Sequence, residues 1–123
     1  MRYDTWEELW RDCPLRGGVW DREKLQEYLI QRCSTRFTEQ IDRFFSGHRG
    51  DEALADLLFD FLLHDDYDGS DCQMGAAQVI AGLDRDLLRK KRALLLRAQE
   101  SGVRWKRPFQ EGDDLRWLSS SPR

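Results

Sequence analysis

The chain has 123 residues, of which 40% are hydrophobic and 35% are charged, and its formal net charge is −3. This size and composition fit one domain with a single hydrophobic core. No apolar run has the roughly 18 residues of a membrane span or the apolar segment of a signal peptide, so we expect a cytoplasmic protein without a membrane partner.

Two short sequence signals predict the first two helices. Residues 5–8 (TWEE) have the T-x-x-E form of a capping box, so a short helix follows and ends before Pro14. Residues 16–18 (RGG) predict a turn, after which Asp21 is placed to cap a second helix. The apolar residues of this second helix recur at helical spacing and are Leu25, Tyr28, Leu29 and Cys33.

The next two helices differ in how much of their surface is apolar. Residues 34 and 35 interrupt the chain before a third helix, which ends at Gly47. The fourth helix begins at Asp51, and its apolar residues cover well over half of its circumference, which predicts the central and most buried helix. Its remaining narrow arc carries three acids at i,i+4 spacing, namely Glu52, Asp56 and Asp60. Like charges so placed repel by about 0.2–0.5 kcal/mol per pair, so another interaction must favour them.

The stretch HDDYDGSD at residues 64–71 resembles part of an EF-hand calcium loop. Aligning the loop glycine with Gly69 leaves His64 at the first ligand position and Gly75 where a bidentate glutamate is required. Residues 70–73 (SDCQ) instead have the form of a second capping box. The stretch is therefore predicted to separate two helices, and neither a metal nor another cofactor is predicted.

Two further helices complete the predicted bundle. Residues 72–81 contain several small side chains that permit close approach to a neighbouring helix, and Gly82 ends this helix. Asp84 then caps one long helix that reaches about Ser101. Lys91 falls in the middle of the apolar stripe of this helix, so its ammonium must reach the edge of the bundle or meet a carboxylate.

No segment shows a convincing strand period, so the chain is predicted to be an all-α, single-domain bundle of five or six helices spanning residues 1–118. Stacked antiparallel hairpins of the HEAT type are an alternative form of the same prediction. Trp105, Phe109 and Trp117 are predicted to dock on the bundle, and residues 119–123 are predicted to form a disordered tail.

No motif for catalysis or nucleotide binding is present, so the chain is not expected to be an enzyme. Neither His48 nor His64 belongs to a known metal or acid–base motif. A hydrolase that uses His64 with Asp66 remains a hypothesis, although a helix C-terminus favours a histidine for dipole reasons alone. The three cysteines are odd in number and lack CxxC spacing, which favours buried free thiols over disulfides or a zinc site.

The charges are segregated along the chain. Between Arg49 and Arg85 there is no Lys or Arg, and this interval contains nine acids: Asp51, Glu52, Asp56, Asp60, Asp65, Asp66, Asp68, Asp71 and Asp84. Residues 85–107 reverse the sign, with nine Lys or Arg against two acids. Such asymmetry implies either pairing within the molecule or a charged partner.

The basic segment, residues 89–107, suggests a nucleic-acid-associated regulator as an alternative function. Residues 89–92 read RKKR, and Trp105 is available for stacking on a base. Four consecutive helical residues point in four directions, however, and the pI near 5.4 is acidic. Nucleic acid is therefore not the expected partner, and pairing of this helix with the acidic helix is a simpler account.

The acidic residues of the fourth helix and of the stretch after it form the predicted binding surface for a protein partner. If they face solvent, they make a negative surface with one tyrosine in it, suited to steering a basic protein. Because so small a chain has five tryptophans, we also expect one or two of them to be partly exposed. The predicted partner-binding residues are Glu52, Asp56, Asp60, Asp65, Asp66, Tyr67, Asp68 and Asp71. The alternative is that the same residues form only a solvated polar helix face and a loop, without binding a partner.

A small, acidic, tryptophan-rich helical domain without a catalytic signature resembles the immunity proteins of bacterial toxin systems, such as contact-dependent inhibition or type VI secretion. The resemblance is one of kind and rests on no diagnostic motif. It implies a protein that binds a cognate toxin domain in the producing cell, and many such proteins neutralise nucleases by presenting carboxylates to a basic site. The expected partner is therefore a basic toxin domain.

Overall fold

The structure is a computed structural model that describes residues 4–64, 69–101, 106–109 and 115–119. These residues form seven α-helices and one two-stranded hairpin, which confirms the predicted all-α class. In chain order the elements are α1 (Trp6–Arg11), β1 (Leu15–Arg16), β2 (Val19–Trp20), α2 (Arg22–Cys33), α3 (Thr38–Ser46), α4 (Glu52–Leu63), α5 (Gly69–Ile80), α6 (Arg85–Lys90), α7 (Arg92–Gln99) and a 3₁₀ helix (Leu115–Ser119). Within these described ranges, no helix has the length and apolar character needed to cross a membrane.

Three helices begin at the capping residues that the sequence predicts. Thr5, Asp21 and Asp51 are the N-caps of α1, α2 and α4. Each side-chain oxygen accepts a hydrogen bond from the backbone N–H three residues later, at 3.3, 3.0 and 3.1 Å respectively. These bonds satisfy N–H groups that the first turn of a helix leaves without a backbone partner, so local chemistry fixes where the three helices start.

The core lies between α2, α4 and α5. Helix α4 contributes more buried hydrophobic residues than any other described helix, as its apolar circumference predicts: Leu54, Ala55, Leu58, Phe59, Phe61 and Leu62. Helix α5 packs extensively against both α2 and α4. At Gly75 the α5 backbone meets α2 directly, because an added Cβ would lie 2.3 Å from the carbonyl oxygen of Leu29. The predicted close approach of this small-residue helix is confirmed.

The hairpin formed by β1 and β2 was not predicted. Gly17 and Gly18 have φ angles of +59° and +78°, the left-handed region that a tight two-residue hairpin turn requires at both positions. Each strand has two residues, with Leu15 paired to Trp20 and Arg16 to Val19. Strands this short show no alternation in sequence, so only the turn was predictable.

The single long helix predicted from Asp84 to Ser101 is wrong, because the chain breaks into α6 and α7 at Lys91. The Lys91 backbone has φ −104° and ψ 25°, outside the helical range. Its N–H is shared between the carbonyls of Leu87 and Leu88, at 3.2 and 3.0 Å. The break leaves Lys91 between two helices, with its side chain directed toward α4.

The predicted start of the next helix, with Ser70 as the N-cap, is too late, because α5 begins at Gly69. Gln73 is 5% exposed and donates from Nε2 to the carbonyl of His64 at 3.0 Å. Its amide therefore satisfies a carbonyl at the end of α4, which a helix C-terminus leaves unpaired.

The C-terminal segment docks on α6, as predicted for Phe109 and Trp117. Phe109 is buried, and its ring centroid lies 5.7 Å from that of Trp117. The Arg85 guanidinium lies 4.4 Å above the Trp117 ring, and Arg89 Nε donates to the Trp117 carbonyl at 2.8 Å. Trp105 lies outside the described residues. So does the predicted tail, residues 119–123, apart from Ser119, which ends the 3₁₀ helix.

Candidate interaction surface

The three acids of α4, Glu52, Asp56 and Asp60, lie along one side of the helix and are named the α4 acid stripe. Lys91 bridges two of them, with Nζ 2.9 Å from Glu52 Oε2 and 2.6 Å from Asp56 Oδ1. The lysine side chain is 15% exposed, whereas each carboxylate side chain is 56% exposed. Hydrogen bonds from the ammonium to Asp56 and to Glu52 raise the pKa of Lys91. The predicted meeting of this lysine with a carboxylate is confirmed.

The third acid of the stripe, Asp60, is held from two sides. The Arg22 guanidinium forms an ion pair with Asp60 Oδ2, and His64 Nδ1 lies 2.7 Å from Asp60 Oδ1. The same guanidinium lies 5.0 Å above the Phe61 ring. Asp60 is 29% exposed, about half as much as the other two acids. Arg22, which belongs to α2, therefore supplies the positive charge that stabilises the carboxylate of Asp60.

The interpretation that the mid-chain acids lie without basic neighbours is wrong for the α4 acid stripe. Lys91 and Arg22 come from outside the interval that lacks cations, and folding brings both against α4. Two of the three acids still present more than half of their side chains to solvent. Their role in binding a partner stays a prediction.

The rest of the predicted acidic surface is described only at Asp71. Asp71 is exposed, and its Oδ1 lies 3.9 Å from the Cys33 Sγ. Burial, followed by this carboxylate, raises the pKa of the Cys33 thiol. Residues Asp65, Asp66, Tyr67 and Asp68 lie outside the described residues, so the predictions made for them are unchanged.

Half of the RKKR sequence at residues 89–92 is used inside the molecule. Arg89 holds the C-terminal segment through Trp117, and Lys91 bridges the α4 acid stripe. Lys90 and Arg92 are exposed. These four residues thus do not form one basic surface.

An apolar groove, named here the aromatic groove, lies between α1 and α3. Its volume is about 250 Å³, and it is lined by Trp6, Trp10, Gln40, Arg43 and Phe44. The Trp10 ring centroid lies 5.7 Å from that of Trp6 and 5.8 Å from that of Phe44. Trp10 is 47% exposed, so nearly half of this large apolar residue meets solvent, which confirms the expected partial exposure of a tryptophan.

The aromatic groove is joined to the start of α4 through Trp20. The Phe44 and Trp20 ring centroids are 6.0 Å apart, and Trp20 Nε1 donates to Asp51 Oδ2 at 2.9 Å. Asp51 is the N-cap that precedes Glu52, so the α4 acid stripe begins next to this aromatic layer. Sequence reasoning missed the groove, although the i,i+4 spacing of Trp6 and Trp10 was a signal for it.

A second pocket, more polar than the aromatic groove, is lined by side chains that bind one another. It has a volume of about 250 Å³ and lies between α2, α3 and α5. Arg32 donates from Nε and Nη2 to Asp42 at 2.9 and 3.2 Å and from Nη1 to Gln78 at 2.6 Å. These contacts engage three of the five N–H donors of Arg32 within the molecule.

All three cysteines are free thiols, and burial raises the pKa of Cys72 to about 12. Within the described ranges, no group of three His, Cys, Asp or Glu is arranged to hold a metal ion. Comparison with known proteins found no protein family, curated protein or solved structure that matches the chain.

Proposed function

We propose that this protein binds a protein partner, and that the partner is a cognate bacterial toxin whose active surface it occludes in the cytoplasm of the producing cell. The observation that carries the proposal is Trp10, which is 47% exposed at the edge of an apolar groove. A large aromatic ring held in a fixed position and surrounded by apolar walls is typical of the residues that dominate binding energy in protein interfaces.

The α4 acid stripe supports the same proposal through its charge. Lys91 supplies one positive charge against the two carboxylates of Glu52 and Asp56, which remain 56% exposed. The surface therefore keeps a net negative charge while its side chains are held in place by the ammonium. Such a surface attracts basic groups and accelerates association, with less effect on the rate of dissociation.

The toxin assignment comes from the resemblance of the sequence to immunity proteins. Two features of the molecule support such a role: the partly exposed Trp10 in the aromatic groove, and the α4 acid stripe. Trp20 connects the two, since its ring contacts Phe44 and its indole N–H is bonded to Asp51. A basic surface of the partner would meet the acids while a different segment of the partner covers the aromatic groove.

The decisive experiment uses the reading frame directly upstream of the gene, where a toxin gene is expected. Its product should arrest bacterial growth when expressed alone, and co-expression of this protein should restore growth. Calorimetry with the two purified proteins should give a Kd that Trp10→Ala weakens by at least about tenfold, which corresponds to about 1.4 kcal/mol. The variant with Glu52→Gln and Asp56→Asn should mainly slow association and reduce its dependence on salt.

Glu100→Gln is the matched control for the charge changes, because Glu100 is an exposed acid at the opposite end of α7 from Lys91. It should leave both the Kd and the rate of association unchanged. Circular dichroism should show that all variants fold. An upstream product that does not affect growth, or a Kd that is the same for Trp10→Ala as for the unmodified protein, would contradict the proposal.

The alternative, a nucleic-acid-associated regulator, is not favoured by the positions of the basic residues. Arg89 and Lys91 are engaged inside the molecule, as described above. Salt-dependent binding of a DNA or RNA duplex, lost when Lys90 and Arg92 are both changed to glutamate, would support this alternative instead.

A further inference from the structure

We propose that the aromatic groove receives one large apolar side chain from a segment of the protein partner, and that carboxylates flank this side chain in that segment. The inference rests on the proposed protein-binding function and adds the chemistry of one contact. A volume of about 250 Å³ is smaller than the roughly 300–1,000 Å³ of a site that encloses a whole small ligand. It suits the insertion of a single side chain.

The walls of the groove are suited to either an aromatic or an aliphatic side chain. The planes of Trp6 and Trp10 meet at 35°, and those of Trp10 and Phe44 at 77°. The groove thus presents both ring faces and ring edges, and aromatic rings pair favourably in offset or edge-to-face arrangements. The Trp6 ring also packs against Tyr28, with 5.9 Å between the two ring centroids.

The charge around the groove selects an acidic segment. Among the described residues that line the groove, Arg43 carries the only charge, and none carries a carboxylate. Arg43 pairs with Glu39 at 3.4 Å, but both side chains are largely exposed, at 74% and 84%, so the pair is weak and easily replaced. A second guanidinium, Arg36, lies 5.0 Å above Phe37, whose ring contacts Trp6.

A second copy of this chain does not suit the groove. In a twofold dimer built on this groove, Arg43 would lie near its own copy, and two like charges would face each other. Nucleic acid offers rings and anions together, but the net charge of −3 opposes it. An acidic protein segment remains as the occupant that fits.

The test uses three blocked synthetic peptides and does not require the toxin. The first carries phenylalanine at its centre with two glutamates on each side, the second replaces the glutamates with lysines, and the third replaces the phenylalanine with alanine. Binding is followed by tryptophan fluorescence and by amide chemical shifts of the isotope-labelled full chain. Trp10→Ala and Arg43→Glu are the variants, and Arg97→Glu, an exposed arginine on α7, is the matched control.

The glutamate–phenylalanine peptide should bind about two- to fivefold more tightly than the lysine peptide, as expected for one exposed ion pair, and at least about tenfold more tightly than the alanine peptide, which lacks the apolar contact. Its shifts should centre on residues 6, 10, 40, 43 and 44. Both groove variants should weaken binding, and Arg97→Glu should not. Because Arg43→Glu changes an exposed side chain, its effect is measured on a folded protein.

Three results would overturn the inference: equal affinity for the glutamate and lysine peptides, shifts that centre elsewhere, or tighter binding of oligouridylate than of the acidic peptide. These results are distinct from failure of the proposed function, which is judged by growth rescue. Rescue of growth without peptide binding at the groove would contradict only the proposed contact at the groove and would leave the toxin-binding function standing. Peptide binding without rescue would remove the toxin assignment and keep the groove as a protein-binding site.

Discussion

Replacing Lys91 with methionine should destabilise the protein by about 1–2 kcal/mol, although methionine fits an apolar helix stripe well. The substitution removes two ion pairs, each worth at most about 1 kcal/mol because the carboxylates are more than half exposed. It also leaves Glu52 and Asp56 as an unscreened i,i+4 pair, which repels by about 0.2–0.5 kcal/mol. Urea denaturation at pH 7 measures the loss directly, and thermal unfolding should show a midpoint lower by roughly 3–10 °C.

The pH dependence of this difference provides a second check. The pKa of Lys91 is raised above its ordinary value of 10.5, chiefly by hydrogen bonds to Asp56 and Glu52. The contribution of the charged ammonium is therefore complete below that value and is lost as pH rises through the higher pKa of the folded state. A double variant, Glu52→Gln with Asp56→Asn, should make Lys91→Met less costly. Equal stability of Lys91→Met and the unmodified protein at pH 7 would refute the reasoning.

Three further predictions concern the core, a thiol and the C-terminal segment. Gly75→Ala should cost about 2–4 kcal/mol in urea denaturation, because its Cβ would lie 2.3 Å from backbone, whereas Gly82→Ala, with 3.5 Å, should cost under about 1 kcal/mol. Cys72, with its pKa raised to about 12 by burial, should react with a thiol reagent at pH 8 only after unfolding, and fast reaction in native buffer would contradict this. Arg85→Ala should destabilise by about 0.5–2 kcal/mol and increase hydrogen exchange near Trp117, since the guanidinium lies 4.4 Å above that ring.

The helix starts were predictable because their causes are local in sequence. Asp21 and Asp51 each bond to a backbone N–H three residues away, so the relevant chemistry lies within one turn. The burial of α4 was predictable for a similar reason, since its apolar residues leave almost no polar face. The break at Lys91 was not predictable, because its side chain is bound by carboxylates 39 and 35 positions earlier in the chain.

The candidate surface was predictable only in part. Charge segregation indicated that the α4 acids need cations, but sequence alone does not decide whether these cations belong to the chain or to a partner. The structure supplies Lys91 and Arg22 for the α4 acid stripe. The aromatic groove depends on α1 lying beside α3, and only the folded arrangement brings Trp10 against Phe44.

The backbone contact at Gly75 has a consequence for how such a protein diversifies. The spacing of α2 and α5 is set by the absence of a side chain at one position, so that position tolerates almost no exchange. The aromatic groove belongs to α1 and α3, which rest against α2 through side chains such as Trp6 on Tyr28. The lining of the aromatic groove can therefore be changed at positions 10, 40 and 43 without altering the α2–α5 contact that requires glycine at position 75.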